Sequence, residues 1–199
     1  MIVELIRHGR TRLQEEHRYV GSTDDDLSRA GREKLTPAPV CPGRVYVTSL
    51  RRTSQTAELL FPGAKLAVVR GLEEMDFGDF EGRCHAELDH DKAYEAWLAS
   101  GCLGRCPGGE DKDGFSERVR QAFVRLADEA CARGEDSLTI VAHGGTIMAV
   151  MEGFGRPRKG FFDWRVAHGC GLLLDGNAWE GCRELHLLHE TYHAKGAKP

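Results

Sequence analysis

Two short apolar runs in this chain end in the same way. Ile2, Val3, Leu5 and Ile6 lead into Arg7-His8-Gly9, and Leu138 to Ala142 leads into His143-Gly144-Gly145. Short runs so poor in polar residues read as strands covered on both faces, the pattern of a parallel sheet flanked by helices. A buried strand that stops at an imidazole and a glycine brings a titratable group to the carboxyl edge of the sheet. That edge is where open α/β sheets bind ligands, and glycine lets the backbone approach the ligand closely. If the two strands are neighbours, their imidazoles face each other.

Strand-like and helix-like segments alternate along the rest of the chain. After a polar loop, residues 27–35 are predicted helical with Asp26 or Ser28 as cap, and Pro37, Pro39 and Pro42 then break the chain. Arg44 to Thr48 reads as a strand. Ser49 to Leu60 reads as a loop turning into a helix that packs through Ala57, Leu59, Leu60 and Phe61. Lys65 to Val69 reads as a strand, Gly71 to Gly82 as an acidic, glycine-containing loop, and His85 to Leu98 as a helix. The stretch from Gly101 to Gly114 reads as an exposed turn-rich loop. Ser116 to Arg133 is the clearest helix, with Val119, Ala122, Phe123, Leu126 and Ala130 at helical spacing. A further helix is expected from Thr146 to Phe154. Strands are expected over Phe161 to Val166, Gly171 to Leu174 and Glu184 to Leu188, with a flexible tail over 193–199. The pattern predicts an α/β fold: one domain over residues 1–199, a three-layer α/β/α sandwich with a mostly parallel central sheet and helices on both faces. The crowded late strands would add an antiparallel edge.

Composition narrows the partners. The net charge is −4, so no global basic field attracts nucleic acid or an anionic membrane. Any anion must be held by a local cluster of cations. No apolar run approaches the roughly 20 residues that span a bilayer, and Glu4 and Arg7 interrupt the first run too early for a signal peptide. A cytoplasmic location is expected. The chain has 7 cysteines. The closest pair, Cys102 and Cys106, does not form a Cys-x-x-Cys, so reduced, mostly buried thiols are expected and no metal.

Four places deliver charged or titratable groups: Arg7-His8-Gly9, Leu50-Arg51-Arg52, Glu73-Glu74 and His143-Gly144-Gly145. The stretches Leu5-Ile6-Arg7-His8-Gly9-x-Thr11, Ser49 to Ala57, Glu74 to Gly82 and Ala142 to Gly145 resemble, in order, the signature of the histidine phosphatase superfamily, which includes the cofactor-dependent phosphoglycerate mutases. The resemblance implies a phosphoglycerate mutase-like fold and five catalytic positions. His8 corresponds to the nucleophile that becomes phosphorylated. Arg7, Arg52 and His143 correspond to the phosphate pocket, and Glu74 to the proton donor. Arg51 and Arg52 are adjacent, as are Glu73 and Glu74. Spacing to Gln55-Thr56-Ala57 favours Arg52, and spacing to Phe77-Gly78 favours Glu74.

Elementary chemistry agrees with these roles. A neutral imidazole nitrogen can attack phosphorus and split one hard displacement into two easier ones. Guanidiniums offer forked donors to phosphate oxygens, and a protonated His143 would add a third cation. The glycines after His143 would present backbone N–H groups to the same anion. A carboxyl can protonate the leaving oxygen and then, as carboxylate, activate water. The remaining histidines, among them His85, His90, His186 and His189, are given structural roles.

Finer resemblance runs through Arg18 to Asp24 with Leu27-Ser28, Phe77 to Glu81, and Phe162 to Val166 with Gly169-Cys170. These stretches are similar to those of α-ribazole phosphatases, which act on α-ribazole 5′-phosphate in assembly of the cobalamin nucleotide loop. The resemblance implies a small phosphomonoester partner, no cofactor, and substrate contacts from Arg7, Gln14, Ser22, Thr23, Arg52, Glu74, His143 and Gly144. Tyr19, Phe77, Phe80 or Trp97 would stack on a flat base, unless these rings are core. Gln14 stands where the family usually has Asn, Asp26 where Pro is usual and Asp111 where Ser is common, all at the rim where substrate is chosen. The chain is short for a mutase, which favours a phosphatase. A phosphoglycerate mutase, a phosphatase of sugar phosphates or phosphoglycerates, and a non-enzymatic phosphate-binding module are the alternatives. A monomer or a homodimer is expected.

Overall fold

The computed structural model describes residues 1–196. In chain order the elements are β1 (Ile2–Arg7), α1 (Arg12–Glu15), α2 (Arg29–Lys34), β2 (Arg44–Val47), α3 (Arg51–Leu60) and β3 (Lys65–Val68). A 3-10 turn (Gly78–Phe80) precedes α4 (His85–Leu88), α5 (Lys92–Ala99), α6 (Lys112–Ala132), β4 (Ser137–Ala142) and α7 (Gly144–Phe154). The chain ends through β5 (Gly155–Arg156), a second 3-10 turn (Phe161–Trp164), β6 (Cys170–Asp175), α8 (Trp179–Cys182) and β7 (Leu185–Tyr192).

The strands form one sheet in the order β3-β2-β4-β1-β6-β7-β5. β3, β2, β4 and β1 pair in parallel, β6 runs antiparallel to both β1 and β7, and β5 is parallel to β7. Alternating side chains of β1, β2 and β4 feed two separate cores, as the two-residue period of a strand requires. Val3, Leu5, Tyr46, Leu138 and Ile140 face the larger core, built on α5, α6 and α7. Ile6, Val45, Val47 and Val141 face the smaller one, with Ala57 and Leu60 of α3. Three layers result, as the composition of the runs predicts. In α6 the expected stripe Val119, Ala122, Phe123, Leu126 and Ala130 is buried. Truncating Phe123 to alanine there would cost about 3–5 kcal/mol in lost transfer energy and cavity.

Several segments differ from their sequence reading. Helix α2 is shorter than the expected 27–35, and of its two expected caps it is Ser28 that serves, its Oγ accepting from Gly31 N at 2.8 Å. The helix expected over His85 to Leu98 is broken into α4 and α5. Asp91 caps α5 by accepting from Ala93 N and Tyr94 N, and an aspartate that captures these amides starts a new helix more readily than it continues an old one. The stretch from Gly101 to Gly114 is not simply exposed: Cys106 is fully buried, and Asp111 caps α6 by accepting from Gly114 N at 2.8 Å. Phe161 to Val166 is not a strand. Asp163 accepts from Gly160 N at 3.1 Å and winds the segment into a 3-10 turn against α7.

The thiols are all free, but only Cys106 and Cys170 are buried; Cys41 and Cys182 are exposed, so the expectation of mostly buried cysteines is corrected. The start of the tail is pinned. His193 N donates to Gly169 O at 2.9 Å, its Nε2 sits 2.9 Å from Glu4, and Lys195 N donates to Lys34 O at 2.8 Å. The rest of that tail, 197–199, lies outside the described residues. Among the described residues no helix is long and apolar enough to cross a membrane.

Candidate active site

Strand register assembles the site. β1 and β4 are parallel neighbours with Arg7 opposite Ala142, so the next residue of each strand, His8 and His143, leaves the sheet at the same level. His8 N still donates to Ala142 O at 3.0 Å, and the two rings lie 5.1 Å apart in an edge-on arrangement. Both histidines are almost fully buried.

Their tautomers follow from their partners. His8 Nδ1 lies 2.6 Å from Gly9 O. A carbonyl only accepts, so Nδ1 carries the proton and Nε2 keeps its lone pair. Arg52 Nε donates to His143 Nδ1 at 3.2 Å. That leaves the proton of His143 on Nε2, where it donates to Thr48 Oγ1 at 2.9 Å. Burial, then repulsion from Arg52, holds both imidazoles well below the usual histidine range, so both are neutral near pH 7. The expectation of a protonated His143 as a third cation is corrected for the free protein: a buried ring beside a guanidinium that already donates to it refuses a proton.

The two arginines are placed differently. Arg52 is fully buried and reaches back from the first turn of α3, donating to Thr23 O and Gly21 O at 2.7 Å each. Arg51, one residue earlier, points outward to Asp24 and Asp26. Arg7 donates to Val166 O at 2.8 Å, and its Nε is buried with no partner. A buried donor left unmade costs about 1–3 kcal/mol, more when charged, and an anion's oxygen is the acceptor that fits it. Burial pulls both arginines down from the usual guanidinium range, and Glu74 pushes them back up.

Glu74 is tied to the start of α7. Gly145 N donates to one carboxyl oxygen and Met75 N to the other, each at 3.0 Å. A Cβ on Gly145 would lie 2.2 Å from Glu74 Oε1, so this contact requires glycine. Glu73 instead accepts from Ser49 Oγ and Gly71 N. Arg118 of α6 clamps the acid loop: it donates to the carbonyls of Gly71, Glu73 and Glu74 and pairs with Glu110 at 2.7 Å.

Arg7, Glu74 and Gly144 stand together in a cavity of about 350 Å³. Tyr19, Phe77 and Trp97 line it from the N-terminal half, and Phe161, Phe162 and Arg165 from the second 3-10 turn. Phe80, one of the rings considered for stacking, is fully buried against Tyr94 and Trp97 and belongs to the core. Among the described residues no group of three or more His, Cys, Asp or Glu side chains is arranged to hold a metal ion.

A match of the family model for the histidine phosphatase superfamily (branch 1) runs over residues 3–181. The chain belongs to that superfamily. It is 29% identical over 183 residues to the adenosylcobalamin/alpha-ribazole phosphatase of Escherichia coli (strain K12), covering 87% of this chain and 89% of the relative. It is 30% identical over 198 residues to the protein of the same name from Salmonella typhimurium, covering 93% and 94%. Among solved structures, the alpha-ribazole phosphatase from Shigella flexneri superposes with a TM-score of 0.83 at 26% identity, covering 100% of both chains. The chain is thus a phosphatase-type enzyme with the phosphoglycerate mutase-like fold.

Six of the residues singled out from the sequence gather where β1 and β4 end: Arg7, Glu74 and Gly144 line the cavity, and His8, His143 and Arg52 lie beside them in mutual contact. The other three have scaffold contacts. Gln14 Oε1 accepts from Thr11 N at 3.1 Å and caps α1. Ser22 Oγ donates to Asp76 at 3.0 Å and Thr23 Oγ1 to Glu81 at 2.6 Å. Thr23 serves the site through its carbonyl, which anchors Arg52.

One residue assigned a structural role stands inside the site. His168 lies 5.3 Å from His8, ring to ring, and its Nδ1 donates to His8 O at 3.1 Å. The sequence carried a signal for it: His168-Gly169 repeats the His-Gly pair of the other two histidines. Arg118 and Thr48 had no such signal, since their contacts run to backbone carbonyls and a ring nitrogen far away in sequence.

Proposed function

We propose that the protein hydrolyses a small phosphomonoester through a phosphohistidine on His8. The observation that carries this reading is the His8 tautomer: Nδ1–H is tied to Gly9 O, the ring is neutral, and the free Nε2 lone pair sits among Arg7, Arg52 and His143. In the first step Nε2 attacks phosphorus, the ester P–O bond breaks, and its electron pair leaves on the alkoxide. The Glu74 carboxyl, acting as general acid, gives that oxygen its proton. In the second step Glu74, now a carboxylate, takes a proton from water as the water oxygen attacks phosphorus. The N–P bond breaks and its pair returns to Nε2. Arg7 Nε, the remaining N–H groups of Arg52 and the amides opening α7 face the charge that gathers on the equatorial oxygens. A bound dianion reverses the field on His143 and favours its protonated form. These guanidiniums supply the positive charge that a metal supplies elsewhere, so the scheme requires none.

α-Ribazole 5′-phosphate is the substrate we propose. Two observations support it: the names of the relatives, and an aromatic cavity continuous with the phosphate end. Tyr19 and Phe77, 5.2 Å apart, offer partly buried faces to a flat base, with Phe161 and Phe162 from the second 3-10 turn. A kinetic screen of α-ribazole 5′-phosphate against phosphoglycerates and sugar phosphates tests this. The proposal expects the highest kcat/KM for the ribazole ester with release of inorganic phosphate. Transfer of the phosphoryl group to a phosphoglycerate instead would reject hydrolysis, and a sugar phosphate turned over faster would reject the substrate.

A further inference from the structure

A second cavity lies behind the nucleophile. It holds about 430 Å³ and is lined by Arg7, Gly9, Arg10, Lys34, Leu35 and His168, with Ala194 closing one wall. His8 stands between the two cavities. Its ring has His143 at 5.1 Å and His168 at 5.3 Å; Gly144, next to His143, lines the substrate cavity, whereas His168 lines this one. Arg7 is common to both.

The chemistry of the two cavities differs. The substrate cavity has aromatic walls and contains the Glu74 carboxyl. The second has three permanent cations, Arg7, Arg10 and Lys34, plus an imidazole, and no acidic side chain lines it. That is unexpected in a chain of net charge −4. Most surface arginines here pair with a carboxylate, as Arg18 does with Glu87 and Arg51 with Asp24. Among the described residues the side chains of Arg10 and Lys34 have no such partner, and His168 Nε2 has none either. Like charges gathered in one concavity repel each other and draw in a counter-ion. Chain topology makes the cluster: β1 delivers Arg7, the loop after it Arg10, the end of α2 Lys34, and the turn before β6 His168.

We infer that this cavity is a second oxyanion site, which takes a free inorganic dianion of phosphate size. The link to the phosphate that the enzyme releases rests on the proposed phosphatase reading; the site itself does not. Because Arg7 serves both cavities, anions in the two sites compete for one guanidinium and repel each other. Inorganic phosphate then inhibits in a mixed pattern, not a purely competitive one.

The test is equilibrium dialysis of the full chain with inorganic phosphate, comparing the wild type with the double variant Arg10→Gln/Lys34→Gln. Neither residue takes part in the proposed chemistry, and both are exposed. The expected result is two phosphates per wild-type chain. In the double variant the weaker or stronger of them is lost or its Kd rises at least tenfold, while turnover of a simple monoester is unchanged. A single phosphate per wild-type chain, or two that the double variant binds equally well, overturns the inference. A second arm uses phenylphosphonate, whose P–C bond is not hydrolysed. Binding that depends on Arg10 and Lys34 for this ligand as tightly as for phosphate would assign the cavity to ester-linked phosphate and overturn the free-anion assignment. Failure of the phosphatase reading would appear separately, as no ester turnover, with the Arg10-dependent binding intact.

Discussion

His168 donates through Nδ1 to the carbonyl oxygen of His8, 3.1 Å away, although 160 residues separate the two. The bond holds the backbone of the residue proposed as nucleophile from the side opposite His143. It also fixes the His168 tautomer and leaves its Nε2 free. His168 is therefore a positioning residue. Replacing it with alanine removes one hydrogen bond worth about 1–1.5 kcal/mol, which corresponds to roughly a tenfold fall in kcat. KM should change little, because the ring does not line the substrate cavity. Steady-state kinetics on His168→Ala decide this; a change confined to KM would contradict the positioning role.

His8→Ala should reduce turnover by a factor on the order of 10⁴ or more, as loss of a covalent nucleophile does. Brief incubation of the wild type with a labelled monoester, followed by alkaline quench, should leave label on the protein, and the variant should carry none. Near-normal turnover in the variant would end the phosphohistidine scheme.

Gly145 and Glu74 should fail together. Glu74→Gln removes the proton donor and should cost about 10²–10⁴ in kcat for an alkyl ester. The loss should be smaller for a p-nitrophenyl ester, whose leaving group needs no proton. Gly145→Ala places a methyl group 2.2 Å from Glu74 Oε1 and must displace the carboxyl, so it should show the same leaving-group dependence. Equal losses on both esters would mean that Glu74 does not act as the acid.

Phe77→Ala should separate substrates. Losing one aromatic face costs about 0.5–1.5 kcal/mol beyond buried area. The ratio of kcat/KM for α-ribazole 5′-phosphate over a sugar phosphate should therefore fall roughly three- to tenfold. An unchanged ratio would place the base away from this wall.

Stability should depend on pH through three buried imidazoles. Burial, then nearby guanidiniums, lowers His8, His143 and His168, the last to about 3. In the unfolded chain they titrate near the ordinary value of about 6.5. Between the folded and unfolded values the unfolded state binds more protons, so stability is complete above about pH 6.5 and falls as the pH drops. Each histidine contributes a slope of up to about 1.4 kcal/mol per pH unit. Thermal melts from pH 8 down to pH 5 should show a falling Tm, less steep in His168→Ala. Saturating phosphate should flatten the curve, because a bound dianion favours the protonated rings. A Tm independent of pH over that range would contradict the burial of these groups.

Much of this was readable along the chain, for a physical reason. Strands and amphipathic helices are written in local periods, so β1, β4 and the apolar stripe of α6 could be recognised within a few turns of their own sequence. The two histidines that end β1 and β4 were visible for the same reason. The choices of Arg52 over Arg51 and Glu74 over Glu73 rest on the family resemblance, and in the structure Arg52 is buried and Glu74 lines the cavity.

Other features were decided only by the tertiary structure. The pairing of Arg7 with Ala142 brings His8 and His143 to one level, and register between strands far apart in sequence leaves no local trace. His168 and Arg118 act through backbone carbonyls at long range, where any donor of the right reach would serve. The 3-10 turn at Phe161–Trp164 replaced an expected strand because one carboxylate captured one amide. The sequence by itself determined the fold class, the titratable ends of two strands and the residue types of the pocket. Tertiary packing decided their protonation, because burial and the nearness of Arg52 exist only once the sheet has brought those groups together.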